Sequence, residues 1–264
     1  MMREWDLVSW NVNGIRAVRK KGFLEWLASA SPTVVCLQET KIDATKLTED
    51  IKTFPSGKEG AYHTYWAHAE KKGYSGVAIL TQREPLSVTV GLGDDTFDSE
   101  GRTLIADFGD FILYNIYFPN GNRDAERLAY KMAFYEAFQA HAQAYVAQGR
   151  HVVVCGDYNT AHYPIDLARP QANQKTSGFL PEERAWMDRY VEAGFVDTFR
   201  QFHPEAKERY TWWDQTSRAR DRNVGWRIDY FFMSQNGIAH ATGADTHDQV
   251  FGSDHCPVSL QLRY

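Results

Sequence analysis

The clearest chemistry in this chain is offered by residues 152–159, where a Val-rich run leads into Gly156, Asp157 and Asn159. Such a continuous apolar run predicts a strand that is buried on both faces. We expect Gly156 to let the chain turn, so that a carboxylate and a carboxamide emerge at the strand's end, where open α/β sheets bind ligands. Taken alone, the pattern also fits a strand that is followed by an ordinary Asx turn.

Other predicted strands end in similar side chains. Asp229 lies inside an apolar strand at residues 227–234, and it needs a partner because an unpaired buried charge is costly. The ring of His255, which precedes a predicted strand at residues 258–262, is a candidate partner. Collected, the strand ends present Asn11, Asn13, Glu39, Tyr117, Asn120, Asp157, Asn159, Asp229, Asp254 and His255.

These groups are oxygen ligands and hydrogen-bonding groups, together with one imidazole. The sequence contains neither the Cys/His spacing of a zinc site nor the glycine-rich loops that bind nucleotides. An oxygen-rich set suits Mg²⁺, with Mn²⁺ as an alternative. A hard cation, carboxylates and a His–Asp pair point to metal-assisted phosphodiester hydrolysis.

Alternating strands and helices must position these residues. Apolar spacing predicts helices over residues 23–30, over residues 123–148, and from Pro181 to just before Gly194. Further strands are predicted at residues 33–37, 62–68, 75–80, 87–91, 103–108 and 111–118, the last two as a hairpin. The longest helix is expected to bury Leu128, Met132, Tyr135, Phe138, Ala142 and Tyr145.

The 264 residues carry a net charge of −5, and 43% of them are hydrophobic. Since no linker or short repeat divides the chain, we expect residues 1–264 to form a single domain. No apolar run is long enough to span a bilayer, and the first residues lead into a strand rather than a signal peptide. Three cysteines beside apolar runs indicate reduced thiols. We therefore expect a cytoplasmic protein that is not secreted, associated with the nucleoid if it is prokaryotic.

An acidic protein needs a locally basic surface to bind nucleic acid. Residues 207–227 carry six Lys or Arg and three Asp or Glu (6 − 3 = +3), interleaved with aromatic residues that include Trp212 and Trp226. Cations and aromatic side chains together suit contact with phosphates, sugars and bases. We favour this interpretation over a solvated loop that contains core tryptophans.

Six motifs follow one another along essentially the whole chain. They are Trp-Asn-Val-Asn-Gly at 10–14, Leu-Gln-Glu-Thr-Lys at 37–41, Tyr-Phe-Pro-Asn-Gly at 117–121, Gly-Asp-Tyr-Asn-Thr-Ala-His at 156–162, Asn-Val-Gly-Trp-Arg-Ile-Asp-Tyr at 223–230 and Gly-Ser-Asp-His-Cys-Pro at 252–257. In these motifs the chain resembles the exonuclease III family of abasic-site endonucleases, within the endonuclease/exonuclease/phosphatase superfamily. Residues 165–167 and 223–227 resemble the abasic-site branch in particular.

The resemblance implies a fold, an α/β sandwich of four layers (DNase I-like) in which two mixed β-sheets pack face to face between helices. It also implies catalytic roles. Asp157 would orient or deprotonate the attacking water, while His255, oriented by Asp229, would contact the phosphate or share the acid–base role. Asp157 and His255 both stay candidates for the base. Asn159 and Tyr117 would hold the scissile phosphate.

The resemblance further implies binding residues. Glu39 would be the main metal ligand, with Asn11 beside it and Asp254 as a nearby or alternative ligand. The remaining assignments are Lys41 and Asn13 as outer supports, Asn120, Arg123 and Arg127 on the DNA side, and Trp212 and Trp226 around a flipped abasic sugar. Three positions depart from common family residues: Asn13 is Asp in some relatives, Tyr158 is more often Leu or Phe, and Trp212 is often Phe.

The implied activity is Mg²⁺-dependent cleavage of double-stranded DNA 5′ to an abasic or damaged nucleotide, which leaves a 3′-hydroxyl. A 3′→5′ exonuclease or 3′-end-cleaning activity would accompany it, and the protein would be a monomer. One alternative is a phosphomonoesterase that acts on small or lipid phosphates. A DNA-binding protein without catalysis is a third option, which the presence of Glu39, Asp157 and His255 disfavours.

Overall fold

The computed structural model describes residues 2–55 and 60–264. Within these ranges the strands are β1 (Glu4–Asn11), β2 (Val34–Gln38), β3 (His63–Ala67), β4 (Val77–Thr81), β5 (Ser87–Val90), β6 (Thr103–Asp107), β7 (Ile112–Tyr117), β8 (Val152–Asp157), β9 (Phe195–Asp197), β10 (Asp229–Ser234), β11 (Ala241–Thr246) and β12 (Val258–Arg263). The α-helices are α1 (Ile15–Arg19), α2 (Phe23–Ala30), α3 (Glu49–Lys52), α4 (Asp95–Asp98), α5 (Ala125–Ala147), α6 (Pro181–Glu192) and α7 (Thr198–Phe202). Short 3₁₀ helices cover Ala44–Lys46, Pro164–Asp166, Pro170–Asn173, Ala219–Arg222 and Ile238–His240.

The strands form two mixed six-stranded sheets. The first has the order β11-β12-β1-β2-β4-β3 and the second β5-β6-β7-β8-β10-β9. Each sheet contains one parallel pair, β1 with β2 and β7 with β8, among antiparallel neighbours. The predicted sandwich of two mixed sheets with flanking helices is confirmed.

Alternating side chains explain why the predicted strands read as continuous apolar runs. In β8, Val153 and Cys155 enter a central core between the two sheets, whereas Val152 and Val154 pack in an outer core that also contains residues of α5 and α6. Successive side chains of a strand point to opposite faces, so a strand covered on both faces is apolar throughout. A second outer core joins the first sheet to α1, α2 and α3.

Two predictions about local structure are wrong in detail. Gly156 makes no turn, because it lies within β8 at a φ of 141°. A Cβ at this position would lie 1.8 Å from the backbone oxygen of Ile116 on β7, so the glycine permits close approach of two strands. The buried face of α5 is centred on Phe134, Tyr135 and Phe138, and it includes Lys131.

Leu128, Met132 and Tyr145, which were predicted for the buried face of α5, are only partly buried. Asp124 caps the start of this helix, because its Oδ1 accepts a hydrogen bond from the Arg127 amide at 2.7 Å.

Strands β9 and β11 and several short helices had no clear periodicity in the sequence. Among the described residues, no helix has both the length and the apolar character that a membrane crossing requires.

Strand pairing brings the predicted functional residues to one edge of the sandwich. In the parallel pairs, Asn11 is in register with Gln38, and Tyr117 is in register with Asp157. Antiparallel β10 begins with Asp229 opposite Asp157. The carboxyl ends of four strands and the start of a fifth therefore meet at the same place.

Candidate active site

A line of three charged side chains lies at this edge. His255 places Nδ1 2.8 Å from Asp229 Oδ2 and Nε2 3.8 Å from Asp157 Oδ2. All three side chains are buried. The partner that a buried Asp229 requires is therefore His255, whose ring is held in one orientation.

Burial and mutual charge set the protonation of this line. Burial raises the pKa of Asp157 to about 7, with Asp229 and Glu39 adding to the effect and His255 opposing it. Burial alone would lower the pKa of His255, but the carboxylates of Asp229 and Asp157 outweigh it and raise that pKa to about 10. Near neutral pH, His255 is therefore a cation beside a carboxyl group that is poised to exchange a proton.

Glu39 forms a second corner of the site. Its Oε1 accepts a hydrogen bond from Asn11 Nδ2 at 2.8 Å, and the same amide donates to Asp157 Oδ2 at 2.9 Å. Lys41 lies 2.8 Å from Glu39 Oε2 and donates to Asn13 Oδ1 at 2.5 Å. Burial opposes ionisation of Glu39, but Lys41 and Asn11 outweigh it and lower the pKa of this carboxyl.

The donor chemistry here fits a hard divalent cation. Ligand atoms of Glu39, Asp157 and His255 lie within 4.8 Å of one another, the one such group in the described parts of the chain. The two carboxylates suit Mg²⁺ or Mn²⁺. Asn11 turns its amide nitrogen toward the carboxylates. Asp254 accepts hydrogen bonds from Asn13 Nδ2 at 2.9 Å and Trp212 Nε1 at 3.2 Å.

The backbone around the site is held in an uncommon conformation. Asn13, Glu39, Lys41 and Asn159 all have φ between 46° and 51°. Asn tolerates this left-handed region, but a Glu or Lys there costs about 1–3 kcal/mol. The surrounding structure compensates this strain, and these four residues are among ten non-glycine residues of positive φ in the described chain.

Asn159 and Tyr117 lie beside the carboxyl group of Asp157. The backbone amide of Asn159 donates to Asp157 Oδ1 at 2.8 Å, and the side-chain Oδ1 of Asn159 accepts from Asn120 Nδ2 at 3.0 Å. Burial and the nearby charge of Glu39 raise the pKa of the Tyr117 hydroxyl well above its usual range. That hydroxyl therefore keeps its proton and stays a hydrogen-bond donor.

A cavity of about 180 Å³ opens directly from these groups. Trp212 and Trp226 stand on its wall with ring centroids 6.4 Å apart and planes at 80°. Its lining consists of Glu39, Tyr117, Asn120, Asn122, Asp157, Asn159, Thr176, Ser177, Gly178, Trp212, Trp226, Ile228, Asp254 and His255. Reactive groups and an aromatic recess thus share one space.

Comparison with known proteins agrees with this geometry. The sequence profile of the "Endonuclease/Exonuclease/phosphatase family" matches residues 8–255. The exodeoxyribonuclease of Bacillus subtilis (strain 168) is 44% identical over 255 residues, which are 96% of this chain and 98% of that relative. The DNA repair nuclease APEX1 of Danio rerio is 43% identical over 257 residues, covering 97% of this chain and 81% of that relative. The chain belongs to the exonuclease III family of AP endonucleases.

A solved structure gives the same assignment. The catalytic domain of Xenopus laevis APE2 superposes with a TM-score of 0.86 and 31% identity, covering 98% of this chain and 92% of that chain. The predicted family and fold are therefore confirmed, and the protein is a hydrolase of the nuclease class.

In this family member, the two arginines predicted for the DNA side, Arg123 and Arg127, differ in their side-chain partners. Arg123 is exposed and pairs with the neighbouring Asp124. Arg127 donates two hydrogen bonds to Glu100, at 2.8 and 2.7 Å, and a third to Tyr74 at 3.0 Å. Arg127 therefore holds other side chains in place, while Arg123 is free to meet a ligand.

The prediction that residues 207–227 form a free basic surface is wrong for several arginines. Arg227 is fully buried between Asp166 and Asp197, Arg209 pairs with Asp245, and Arg220 donates to backbone carbonyls of residues 248–253. A buried guanidinium needs such acceptors, which the local sequence could not reveal. Tyr210 and Trp213 are core residues, whereas Trp212 and Trp226 do line the cavity.

Sequence reasoning missed five residues of the cavity wall: Asn122, Thr176, Ser177, Gly178 and Ile228. Three of them belong to the polar, irregular stretch before α6, which carries no strand-end pattern. The small Ser177-Gly178 pair was the available signal, because a glycine there lets the chain pack closely. Gly178 has a φ of 95°, and a Cβ at this position would lie 3.1 Å from the Asn159 oxygen and 3.3 Å from the Trp226 ring.

Proposed function

We propose that this protein hydrolyses the DNA phosphodiester immediately 5′ to an abasic site and leaves a 3′-hydroxyl. The observation that carries the proposal is the direct opening of the Asp157–His255–Asp229 line into a small cavity between two tryptophans. We further propose 3′→5′ exonuclease and 3′-end-cleaning activity at the same site. The exodeoxyribonuclease and DNA repair nuclease among its relatives support both activities.

Cavity size supports selection of a base-less nucleotide. At about 180 Å³ the cavity is smaller than the roughly 300–1,000 Å³ of typical ligand pockets. It suits a sugar better than a sugar that carries a base. An abasic nucleotide also costs less to flip, since no Watson–Crick pair is broken.

We assign the general base to Asp157 rather than to His255. A pKa of about 7 lets the carboxylate accept a proton from water near neutral pH. His255, with a pKa of about 10, is already protonated, so it serves as a cation against the phosphate oxygens. Asp229 orients the imidazolium, and the Asn159 amide orients Asp157.

Tyr117 and Asn159 are proposed to hold the scissile phosphate, with Asn120 at the edge of the cavity and Arg123 on the outer DNA surface. Glu39 would be the principal ligand of Mg²⁺, which Mn²⁺ could replace, with Asp254 and Asn11 as further ligands. To bind the ion, Asn11 would have to turn its Oδ1 away from the Asn13 backbone amide, from which it accepts a hydrogen bond at 3.0 Å. When bound, the cation supplies charge that stabilises the transferring phosphoryl oxygens and the leaving group. Lys41 and Asn13 support Glu39 and Asp254 through the contacts described above.

The substrate we propose is double-stranded DNA that contains an abasic or damaged nucleotide. We also propose that residues 1–264 act as one domain and as a monomer. Three buried, unpaired cysteines suit the reducing cytoplasm.

The proposal is tested with an end-labelled duplex that carries one stable abasic-site analogue. We expect a single cut directly 5′ to the analogue with Mg²⁺, and none with EDTA. In the same incubation, the matched duplex without the lesion should not be cut at any internal phosphodiester. An uncut lesion duplex would contradict the proposal, and release of phosphate from small esters would then favour a phosphomonoesterase.

A further inference from the structure

An ion pair that the proposed reaction does not use lies beneath the site. Lys131 on α5 and Glu183 on α6 are both fully buried, with Nζ 2.6 Å from Oε1. A buried ion pair adds little net stability compared with apolar residues of similar size. Its other contacts therefore indicate what it does.

The ammonium of Lys131 reaches the catalytic loop that follows β8. Besides Glu183, it donates to the Asn159 backbone oxygen at 2.7 Å and to Thr160 Oγ1 at 2.8 Å. All three of its hydrogens thus have acceptors. Since the Asn159 amide bonds Asp157 Oδ1, Lys131 fixes the residue that orients the proposed base.

The carboxylate of Glu183 reaches the segment of the cavity wall that contains Ser177 and Gly178. It accepts hydrogen bonds from Ser177 Oγ at 3.0 Å, from the Gly178 amide at 2.5 Å and from the Leu180 amide at 3.0 Å. Ser177 and Gly178 line the cavity. A Cβ on Gly178 would lie only 3.1 Å from the Asn159 oxygen and 3.3 Å from the Trp226 ring, so this segment packs closely against both residues.

We propose that Lys131 and Glu183 are positioning residues that tie the catalytic loop to the cavity wall and so couple turnover to recognition of the lesion. This inference rests on the proposed function. An apolar pair would fill the same volume, but it would leave the Gly178 and Leu180 amides without their acceptor and would remove one of the two side-chain donors to the Asn159 backbone oxygen.

The same two helices offer a matched control. Arg189 on α6 and Glu136 on α5 also form an ion pair at 2.6 Å, but both side chains are more than half exposed. This surface pair touches neither the catalytic loop nor the cavity. The double variant Glu136→Gln/Arg189→Met should therefore keep wild-type kcat, KM and selectivity.

The test compares this control with the double variant Lys131→Met/Glu183→Leu and the single variant Glu183→Gln. For cleavage of abasic duplex we expect kcat to fall ~10- to ~100-fold, with a smaller change in KM, because displaced catalytic groups act in the chemical step. The preference for abasic over intact DNA should fall as well. Hydrogen exchange of residues 158–162 and 174–180 should quicken together.

Wild-type kcat, selectivity and exchange in a folded Lys131→Met/Glu183→Leu protein would overturn the inference. If that protein fails to fold, Glu183→Gln, which keeps the side-chain size, decides by the same readouts. A wild-type protein that degrades DNA without incising at abasic sites would instead overturn the proposed function. In that case, kcat for the DNA that is cut and hydrogen exchange of residues 158–162 and 174–180 are compared between the variants and wild type, and they still test the inference.

Discussion

The two halves of the site are built in different ways. The catalytic line lies on strand ends, where Asp157 and Asp229 face each other in the register of β8 and β10. The cavity wall, in contrast, consists of irregular segments on either side of Trp226, and an isolated β-bridge joins Trp226 to Trp212. The comparison teaches that strand register positions the reactive groups, whereas the wall also needs another device.

That device is buried charge. Glu183 accepts from two backbone amides of the wall, and Arg227 joins Asp166 to Asp197 beneath the tryptophans. Such networks are costly to break on one side, because the remaining charge is left unpaired in the interior. They therefore restrict an irregular chain to one arrangement, as strand pairing does elsewhere.

The largest effect should come from the catalytic half. Replacing Asp157 by Asn keeps the size of the side chain but removes the proposed base, so single-turnover cleavage of abasic duplex should slow by about 10³- to 10⁴-fold. Equilibrium binding of the same duplex, measured by fluorescence anisotropy, should stay near the wild-type value. Asp95→Asn, on an exposed helix, is the control. Near-normal turnover in Asp157→Asn would remove this residue from the mechanism.

A substitution beneath the wall should affect stability instead. Asp166→Asn leaves Arg227 with one carboxylate fewer, and the free energy of unfolding at pH 7 should fall by about 3 kcal/mol. Urea titrations measure this loss. The control is Asp221→Asn, which breaks an exposed pair with Arg218 in the same region and should cost less than about 1 kcal/mol.

The stability difference between wild type and Asp166→Asn should depend on pH. Burial alone would raise the pKa of Asp166, but Arg227 and Arg200 outweigh it and lower that pKa below the unfolded value of about 3.9. The contribution of Asp166 is therefore fully present above the unfolded pKa and is lost as pH falls through the folded pKa. A difference that stays constant down to strongly acidic pH would contradict this assignment.

The smallest effect should come from the recess itself. In Trp226→Ala, the preference for abasic over intact duplex should fall about tenfold, because a stacking contact is worth ~1–3 kcal/mol. The melting temperature should stay near the wild-type value. Trp26→Ala is the matched control, because Trp26 lies on α2 and packs against the outer core of the first sheet. Normal discrimination by Trp226→Ala would show that the recess is assigned to the wrong residues.

The catalytic half could be predicted from sequence because Glu39, Asp157, Asn159 and Asp229 lie at or beside the ends of strands whose apolar pattern is unmistakable. Asp157, Asn159 and Glu39 are found together for this reason. Apart from Trp212 and Trp226, the wall could not be predicted, since Ser177 and Gly178 lie in a segment without periodicity. Lys131 and Arg227 were equally hidden, because burial of a charge depends on partners distant in sequence, namely Glu183 and Asp166.

The errors in the predicted fold also have physical causes. Strand β11 reads as polar and pairs only at the edge of its sheet, so its sequence carries no alternation. Gly156 was expected in a turn because glycine favours turns, but the contact with Ile116 that requires it comes from a neighbouring strand. The assignments of metal ligands and of one domain stay predictions.

The most direct test of this division of labour is the ratio of single-turnover rate constants for abasic and intact duplex, measured with enzyme in excess. We predict that Asp157→Asn slows both reactions by the same factor and leaves the ratio unchanged. Trp226→Ala should lower the ratio, because only the abasic substrate uses the recess. A changed ratio in Asp157→Asn, together with an unchanged ratio in Trp226→Ala, would contradict the account.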